Sequence, residues 1–111
     1  INYVNVTVEK MMAEPRLIKK IGMTMARGVK KRLVELKSAT NLGSYLNIGL
    51  GKPEPLYGNK RGDYSVRVTA NYRIIFYPFL VSETDDPLKC TEIVIRGVCD
   101  YHGDKTNWLI P

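Results

Sequence analysis

Two short segments of alternating residues, 64–69 and 72–77, constrain the fold most tightly, and only Ala70 and Asn71 separate them. In each segment a large apolar or aromatic side chain occupies every second position, as expected of a strand that buries one face. A two-residue connection between such strands is typical of a tight turn. The sequence therefore predicts a β-hairpin.

Apolar periodicity predicts elements on both sides of this hairpin. Valines alternate within residues 2–8, which favours an N-terminal strand. Between residues 15 and 38 apolar residues recur every three or four positions, which predicts an amphipathic helix, or two helices if Gly22 breaks it. Residues 39–48 suit a short further helix, and residues 91–98 suit another strand.

This order of elements defines a fold class. We expect a single α+β domain over residues 1–111, with an N-terminal strand, one or two helices and then a three-stranded antiparallel meander that completes the sheet. A chain of 111 residues, 44% of them hydrophobic, can bury one core without staples. The apolar tail that ends at Ile110 is expected to pack back on the domain rather than wait for a partner.

Membrane and disulfide classes are disfavoured. The longest apolar run, residues 74–81, falls far short of the roughly 20 residues that cross a bilayer, and it contains Pro78. Cys90 and Cys99 are too few for a disulfide framework, so we expect reduced, partly buried thiols. The amino terminus has no pattern of a secretory leader, which favours the cytoplasm.

The positive charge is concentrated in one segment. The chain carries 17 Lys and Arg against 11 Asp and Glu, and residues 15–38 alone hold eight basic side chains against the single acid Glu35. A local positive field attracts polyanions such as nucleic acid, although a solvated helix face is the simpler alternative. The lysines expected to contact RNA are Lys19, Lys20, Lys30, Lys31 and Lys37.

A few residues can carry chemistry. His102, the one histidine, follows the predicted strand 91–98, and Asp100 precedes it by two positions. An imidazole can exchange a proton near neutral pH, and a carboxylate can orient it, although a lone histidine can equally be an ordinary surface residue. We expect no metal, because one histidine and scattered carboxylates make no ligand set, and no cofactor.

Two arginines of the predicted hairpin strengthen the case for an anionic substrate. Arg67 and Arg73 alternate out of phase with the core residues, so both should emerge on the non-core side of the sheet. Guanidinium groups bind phosphate oxygens in a fork. Pairing with an acid such as Glu92 is the alternative. Lys60 and Arg61 add positive charge at the entrance of the hairpin.

Cysteine catalysis is disfavoured. Cys99 lies three residues before His102, but the sequence shows no basic neighbour on its face that would lower the pKa of the thiol. Packing is the better interpretation of both thiols.

Three blocks of residues, in order, resemble a known family. They are residues 55–68 (Pro-Leu-Tyr-Gly-Asn-Lys-Arg-Gly-Asp-Tyr-Ser-Val-Arg-Val), residues 71–76 (Asn-Tyr-Arg-Ile-Ile-Phe), and Glu-Ile-Val at 92–94 followed by Asp-Tyr-His at 100–102. The chain is similar in these blocks to the HigB "killer protein" branch of the RelE/ParE toxin superfamily. The resemblance implies a RelE-like fold and the toxin of a type II toxin–antitoxin system.

The resemblance also implies an activity, partners and site residues. Members of this branch are ribosome-dependent endoribonucleases that cut messenger RNA, and a helix-turn-helix antitoxin silences them in a hetero-oligomeric complex. Asp100, Tyr101 and His102 match the family's carboxy-terminal catalytic motif, and Arg73 matches the arginine of its Tyr-Arg-Ile strand. The implied roles are proton transfer for His102, its orientation for Asp100, phosphate stabilisation for Arg73, and stacking or hydrogen bonding for Tyr101.

One departure bears on the mechanism. Many relatives carry a histidine directly before the Pro-Leu-x-Gly turn, whereas this chain has Glu54 there, and Tyr57 stands where a lysine is frequent. A carboxylate can act as the general base in its place, or the site can be weakened. The alternative functions are a non-catalytic, ParE-like gyrase inhibitor and a degenerate antitoxin-binding module.

Overall fold

The computed structural model describes residues 1–56, 62–102 and 105–111, and for residues 102, 105 and 106 the description covers the backbone alone. Within these ranges four helices and a six-stranded sheet share one hydrophobic core, so the chain is an α+β domain. The helices are α1 (Val6–Met12), α2 (Arg16–Ile21), α3 (Met23–Ser38) and α4 (Leu42–Ile48). The strands are β1 (Asn2–Tyr3), β2 (Glu54–Pro55), β3 (Tyr64–Arg67), β4 (Tyr72–Pro78), β5 (Ile93–His102) and β6 (Lys105–Ile110).

Strand β5 organises the sheet. The strand order is β1-β5-β4-β3-β2, and β6 pairs with β5 in addition. One edge of β5 carries β4 antiparallel, while the other carries β1, parallel at Asn2↔Val94, and then β6, antiparallel at Cys99↔Trp108. β1 and β6, which are far apart in the sequence, therefore pair with the same strand. None of the helices in the described ranges is both long enough and apolar enough to cross a membrane.

The predicted hairpin is confirmed, but its two-residue turn at Ala70 and Asn71 is not, because β3 ends at Arg67 and residues 68–71 connect it to β4. β3 and β4 pair antiparallel with Arg67 opposite Arg73, and the Val68 N–H donates to the Tyr72 carbonyl at 2.8 Å to close the turn. Val66 and Ile74 are fully buried in the core that the sheet shares with the helices. Because side chains alternate across a strand, Arg67 and Arg73 lie on the opposite face, as predicted.

The prediction of a strand over residues 2–8 is wrong beyond Tyr3. Helix α1 begins after Asn5, whose side chain accepts a hydrogen bond from the Val8 N–H at 2.9 Å. Val8 and Met12, one helical turn apart, are 0% and 5% exposed, whereas Val6 is 62% exposed. The N-cap and the i,i+4 pair outweigh the period-two valine pattern, because they allow both core side chains to be buried.

Gly22 ends one helix and begins the next. Its φ of +87° is accessible to glycine at little cost, and it separates α2 from α3. The two-helix form of the prediction for residues 15–38 is therefore confirmed. The short helix expected within residues 39–48 is also present, as α4.

The sheet has more strands than predicted. The strand expected at residues 91–98 continues to His102, and β2 and β6 were not predicted. Ile110 is fully buried, which confirms that the tail packs on the domain. This packing requires Gly97, because a Cβ there would lie 1.7 Å from the Ile110 carbonyl oxygen. The close approach accompanies a register shift between Val98 and Cys99.

Candidate functional site

The side of the sheet turned away from the shared core carries several charged and aromatic side chains of the strands. We call this side the polar face. Its members include Glu54, Asp63, Arg67, Arg73, Tyr77, Arg96, Cys99, Tyr101 and Trp108. Sheet register brings these residues together from five strands and from the segment that precedes β3, which makes the polar face the candidate site.

Arg73 is the centre of this site. Its Nη1 donates to Glu54 Oε1 at 2.9 Å, and its guanidinium carbon lies 4.7 Å from the centre of the Tyr101 ring. The Arg73 side chain is only 14% exposed, whereas the Glu54 side chain is 45% exposed. A cation held by a carboxylate on one side and by an aromatic ring on the other has a fixed position, and the carboxylate remains accessible to a ligand.

Arg67 adds a second positive charge beside Arg73. The two residues are direct cross-strand partners, an unfavourable arrangement for like charges unless an anion compensates. The Nε atoms of both are buried, and neither has a hydrogen-bond partner among the described residues. The Glu54 carboxylate pairs with Arg73, and the Nε atoms of Arg67 and Arg73 remain as further donors. The row therefore has the charge and the donors to bind an oxyanion such as phosphate.

Arg96, a third arginine on the polar face, is held in the same way as Arg73. Arg96 Nε donates to Asp63 Oδ1 at 2.7 Å, and its guanidinium carbon lies 4.3 Å from the centre of the Tyr77 ring. The Asp63 side chain is 1% exposed. Sequence reasoning missed this unit. The signal was available, because a charged residue within the apolar run of 93–98 needs a partner when its strand is buried.

The structure brings together three of the five predicted catalytic residues, namely Glu54, Arg73 and Tyr101. Asp100 lies opposite Tyr72 in the sheet, and strand alternation places it on the face opposite to Tyr101. His102 is the last residue of β5, paired with Lys105 through the backbone, and its side chain lies outside the described part of the structure.

Two sequence-based expectations about neighbours are corrected. Glu92 does not pair with the hairpin arginines, because its carboxylate binds the amino group of Ile1 at 3.2 Å, and Glu54 takes the arginine instead. Cys99 does have a basic neighbour, since it lies directly opposite Arg73. Burial nevertheless raises the pKa of the Cys99 thiol to about 11, although Arg73 lowers it, and Asp100 raises it further. Both cysteines are free thiols, Cys90 partly buried and Cys99 fully buried.

The helical lysines are available to a polyanion. Lys19, Lys20, Lys31 and Lys37 are exposed on α2 and α3, and the exposed Lys30 lies 3.5 Å from Glu14. Exposed pairs of this kind are weak, so Lys30 can exchange its partner for a phosphate. Lys60 and Arg61, which were expected at the entrance of the hairpin, lie outside the described residues, as does Tyr57.

Within the described ranges, no group of three or more His, Cys, Asp or Glu side chains could hold a metal ion.

Comparisons of this chain with protein-family models, with curated proteins and with solved structures found no match.

Proposed function

We propose that this protein is a ribosome-dependent endoribonuclease, the toxin of a type II toxin–antitoxin system. The observation that carries the proposal is the arrangement of Arg73 between the Glu54 carboxylate and the Tyr101 ring, next to Arg67. These are groups that cleavage of a phosphodiester requires, held on one face of a sheet. The resemblance of three sequence blocks to the HigB branch supports the same reading.

The proposed reaction is attack of a ribose 2′-hydroxyl on the adjacent phosphorus. The O2′–P bond forms, the P–O5′ bond breaks, and the products are a 2′,3′-cyclic phosphate and a 5′-hydroxyl. Glu54 accepts the proton of the 2′-hydroxyl, because its carboxylate is the accessible base beside Arg73. Arg73 and Arg67 stabilise the charge that develops on the phosphorane oxygens.

The leaving 5′ oxygen needs a proton donor. We assign this role to His102, in line with the family resemblance, because an imidazole can hold a proton near neutral pH. Asp100, which the family resemblance assigned to orient the histidine, precedes His102 by two residues. Tyr101 has a second role on the polar face, because its ring holds the Arg73 guanidinium in place.

The proposed partners follow from the charge distribution. Five exposed lysines lie on α2 and α3, which pack against the core on the side of the sheet opposite to the polar face. Such lysines suit the phosphates of ribosomal RNA, and binding should weaken steeply with salt. A helix-turn-helix antitoxin is the proposed inhibitor in a hetero-oligomeric complex, and the cytoplasm is the proposed location.

A primer-extension assay on a reporter message tests the proposal. The chain is added to a reconstituted translation reaction with and without ribosomes. We expect cuts only when ribosomes translate the message, and we expect the Arg73→Gln variant to lose them. Cuts that are equally frequent without ribosomes would reject the ribosome dependence, and the absence of cuts would reject the nuclease.

A further inference from the structure

Trp108 occupies an unexplained position on the polar face. It lies on β6 directly opposite Cys99, which in turn lies opposite Arg73, so the three side chains form one row across neighbouring strands. Strand spacing puts Trp108 about 10 Å from Arg73. The tryptophan is 43% exposed, although Ile110, two residues further on, is fully buried. A large aromatic ring is thus left in solvent close to the proposed scissile phosphate.

A cavity beside this ring has a composition suited to a ligand. Val4, Arg96, Trp108 and Pro111 line a pocket of about 240 Å³. That volume is below the range typical of clefts for drug-sized molecules, and it suits one planar ring system. Arg96 is held at its wall by Asp63 and by the Tyr77 ring. The pocket therefore combines an aromatic face, an aliphatic wall and a positively charged donor.

The backbone geometry of β5 and β6 forms one side of this pocket. Gly97 allows the chain at Ile110 to approach β5 more closely than any side chain would permit. The register shift between Val98 and Cys99 accompanies that approach, so that Ile110 enters the core while Trp108 stays on the polar face with Arg96. The pair of Arg73 and Tyr101, the pair of Arg96 and Tyr77, and Trp108 then lie on one surface. Alternation of cations with aromatic rings is characteristic of surfaces that bind single-stranded nucleic acid.

We infer that Trp108 and Arg96 form a nucleobase subsite, in which a base of single-stranded RNA stacks on the indole while its backbone phosphate binds at Arg73 and Arg67. The inference rests on the proposed function, because it takes the same RNA as ligand. Stacking is tolerant of base identity, since every base has a π face, so this subsite adds affinity and register rather than strong sequence preference. The guanidinium of Arg96, beside the indole, favours binding of the phosphate that follows the stacked base.

Trp108 is the only tryptophan of the chain, so its fluorescence reports the proposed contact directly. The probe is a short single-stranded RNA with 2′-O-methyl riboses, which cannot be cleaved by 2′-hydroxyl attack. The matched probe has the same backbone without bases. Binding of each probe is measured independently by anisotropy of a terminal dye. We expect the base-bearing RNA to quench the tryptophan and the abasic strand to leave its emission unchanged at equal occupancy.

Substitutions separate stacking from simple burial. Trp108→Leu keeps an apolar side chain without a π face and should weaken RNA binding about tenfold, whereas Trp108→Phe should retain most of the affinity. Phe79→Leu removes an aromatic side chain of similar exposure, 53%, from the other end of β4 and should leave binding unchanged. Circular dichroism and thermal unfolding confirm that each variant is folded.

The outcomes distinguish this inference from the proposed function. Equal quenching by the abasic strand, or unchanged affinity in folded Trp108→Leu, would overturn the base subsite even if the protein cleaves messages. Base-dependent quenching together with no cleavage on translating ribosomes would support the subsite and reject the nuclease.

Discussion

Arg73 Nη1 lies 2.9 Å from Glu54 Oε1, although Arg73 is on β4, Glu54 is on β2, and β3 lies between these two strands. The Arg73 side chain is nearly buried and therefore fixed, whereas the Glu54 carboxylate is half-exposed and therefore accessible to a ligand. This relationship supports the proposed role of Glu54 as the general base, which the sequence left open. It presents a carboxylate base directly beside the cation that is proposed to bind the phosphate.

Glu54→Gln tests this assignment. Loss of a general base is expected to reduce ribosome-dependent cleavage about a hundredfold or more, because the amide cannot accept the proton of the 2′-hydroxyl. The rate is measured by quantitative primer extension. Glu83→Gln, which alters an exposed acid in the loop after β4, is the control. A Glu54→Gln rate close to that of the control would remove Glu54 from the mechanism.

Arg73→Lys separates charge from geometry. Lysine retains the positive charge but loses both the planar fork and the stack on Tyr101, so we expect a fall in cleavage of about ten- to a hundredfold. Arg27→Lys, on the exposed side of α3, should leave the rate unchanged. Full activity in Arg73→Lys would show that a point charge is sufficient and that the Tyr101 contact plays no part.

Gly97→Ala should destabilise the domain strongly. The added Cβ would meet the Ile110 carbonyl oxygen at 1.7 Å, and a φ of +151° is unfavourable for alanine as well. We expect a loss of about 3 kcal/mol or more in the free energy of unfolding, measured by urea titration. Gly22→Ala is the matched control, because it also has positive φ but nothing within 4 Å of the added Cβ. Its loss should be smaller, about 1–3 kcal/mol from the backbone conformation alone, and equal losses in both variants would contradict the close approach of β6.

Alkaline pH should destabilise the fold through Cys99. Burial raises the pKa of its thiol from the ordinary value of 9.0 to about 11, so the folded chain holds this proton more tightly than the unfolded chain. The resulting stabilisation is complete below pH 9 and is lost between pH 9 and about 11. Tyr45, whose pKa burial raises from 10.0 to about 12, acts in the same direction at higher pH.

Urea unfolding at several pH values between 8 and 10 checks this dependence. Cys99→Ala removes the thiol, so its free energy of unfolding should fall less steeply above pH 9 than that of the unaltered chain. Parallel curves for the two proteins would contradict the assignment.

Local patterns predicted the centre of the sheet but not its edges. Residues 64–77 contain two adjacent segments of strong alternation, so the faces of both strands are predicted without information from elsewhere in the chain, although the connection is longer than the predicted two residues. The edges depend on distant contacts. β2 is two residues long and pairs with β3, and the strand expected at residues 2–8 gives way to a helix because Asn5 caps it.

The same distinction applies to the site. Arg67 and Arg73 were predicted on the non-core face because alternation within the hairpin determines their direction. The partner of Arg73 could not be predicted, since Glu54 reaches it only through the pairing of β2 with β3. The apolar run around Arg96 indicates that this charge needs a partner, but the placement of Arg96 and Trp108 on the polar face depends on irregular pairings of β5 with β4 and with β6, which local alternation does not predict.

The most direct test of the proposed function is primer extension on a reporter message in a reconstituted translation reaction, with the unaltered chain, His102→Ala and Glu54→Ala compared with and without ribosomes. We expect ribosome-dependent cuts from the unaltered chain and their loss in both variants. Intact messages beside an active, translating control would contradict the nuclease, and a changed linking number of a plasmid treated with gyrase and this protein would then identify a gyrase inhibitor instead.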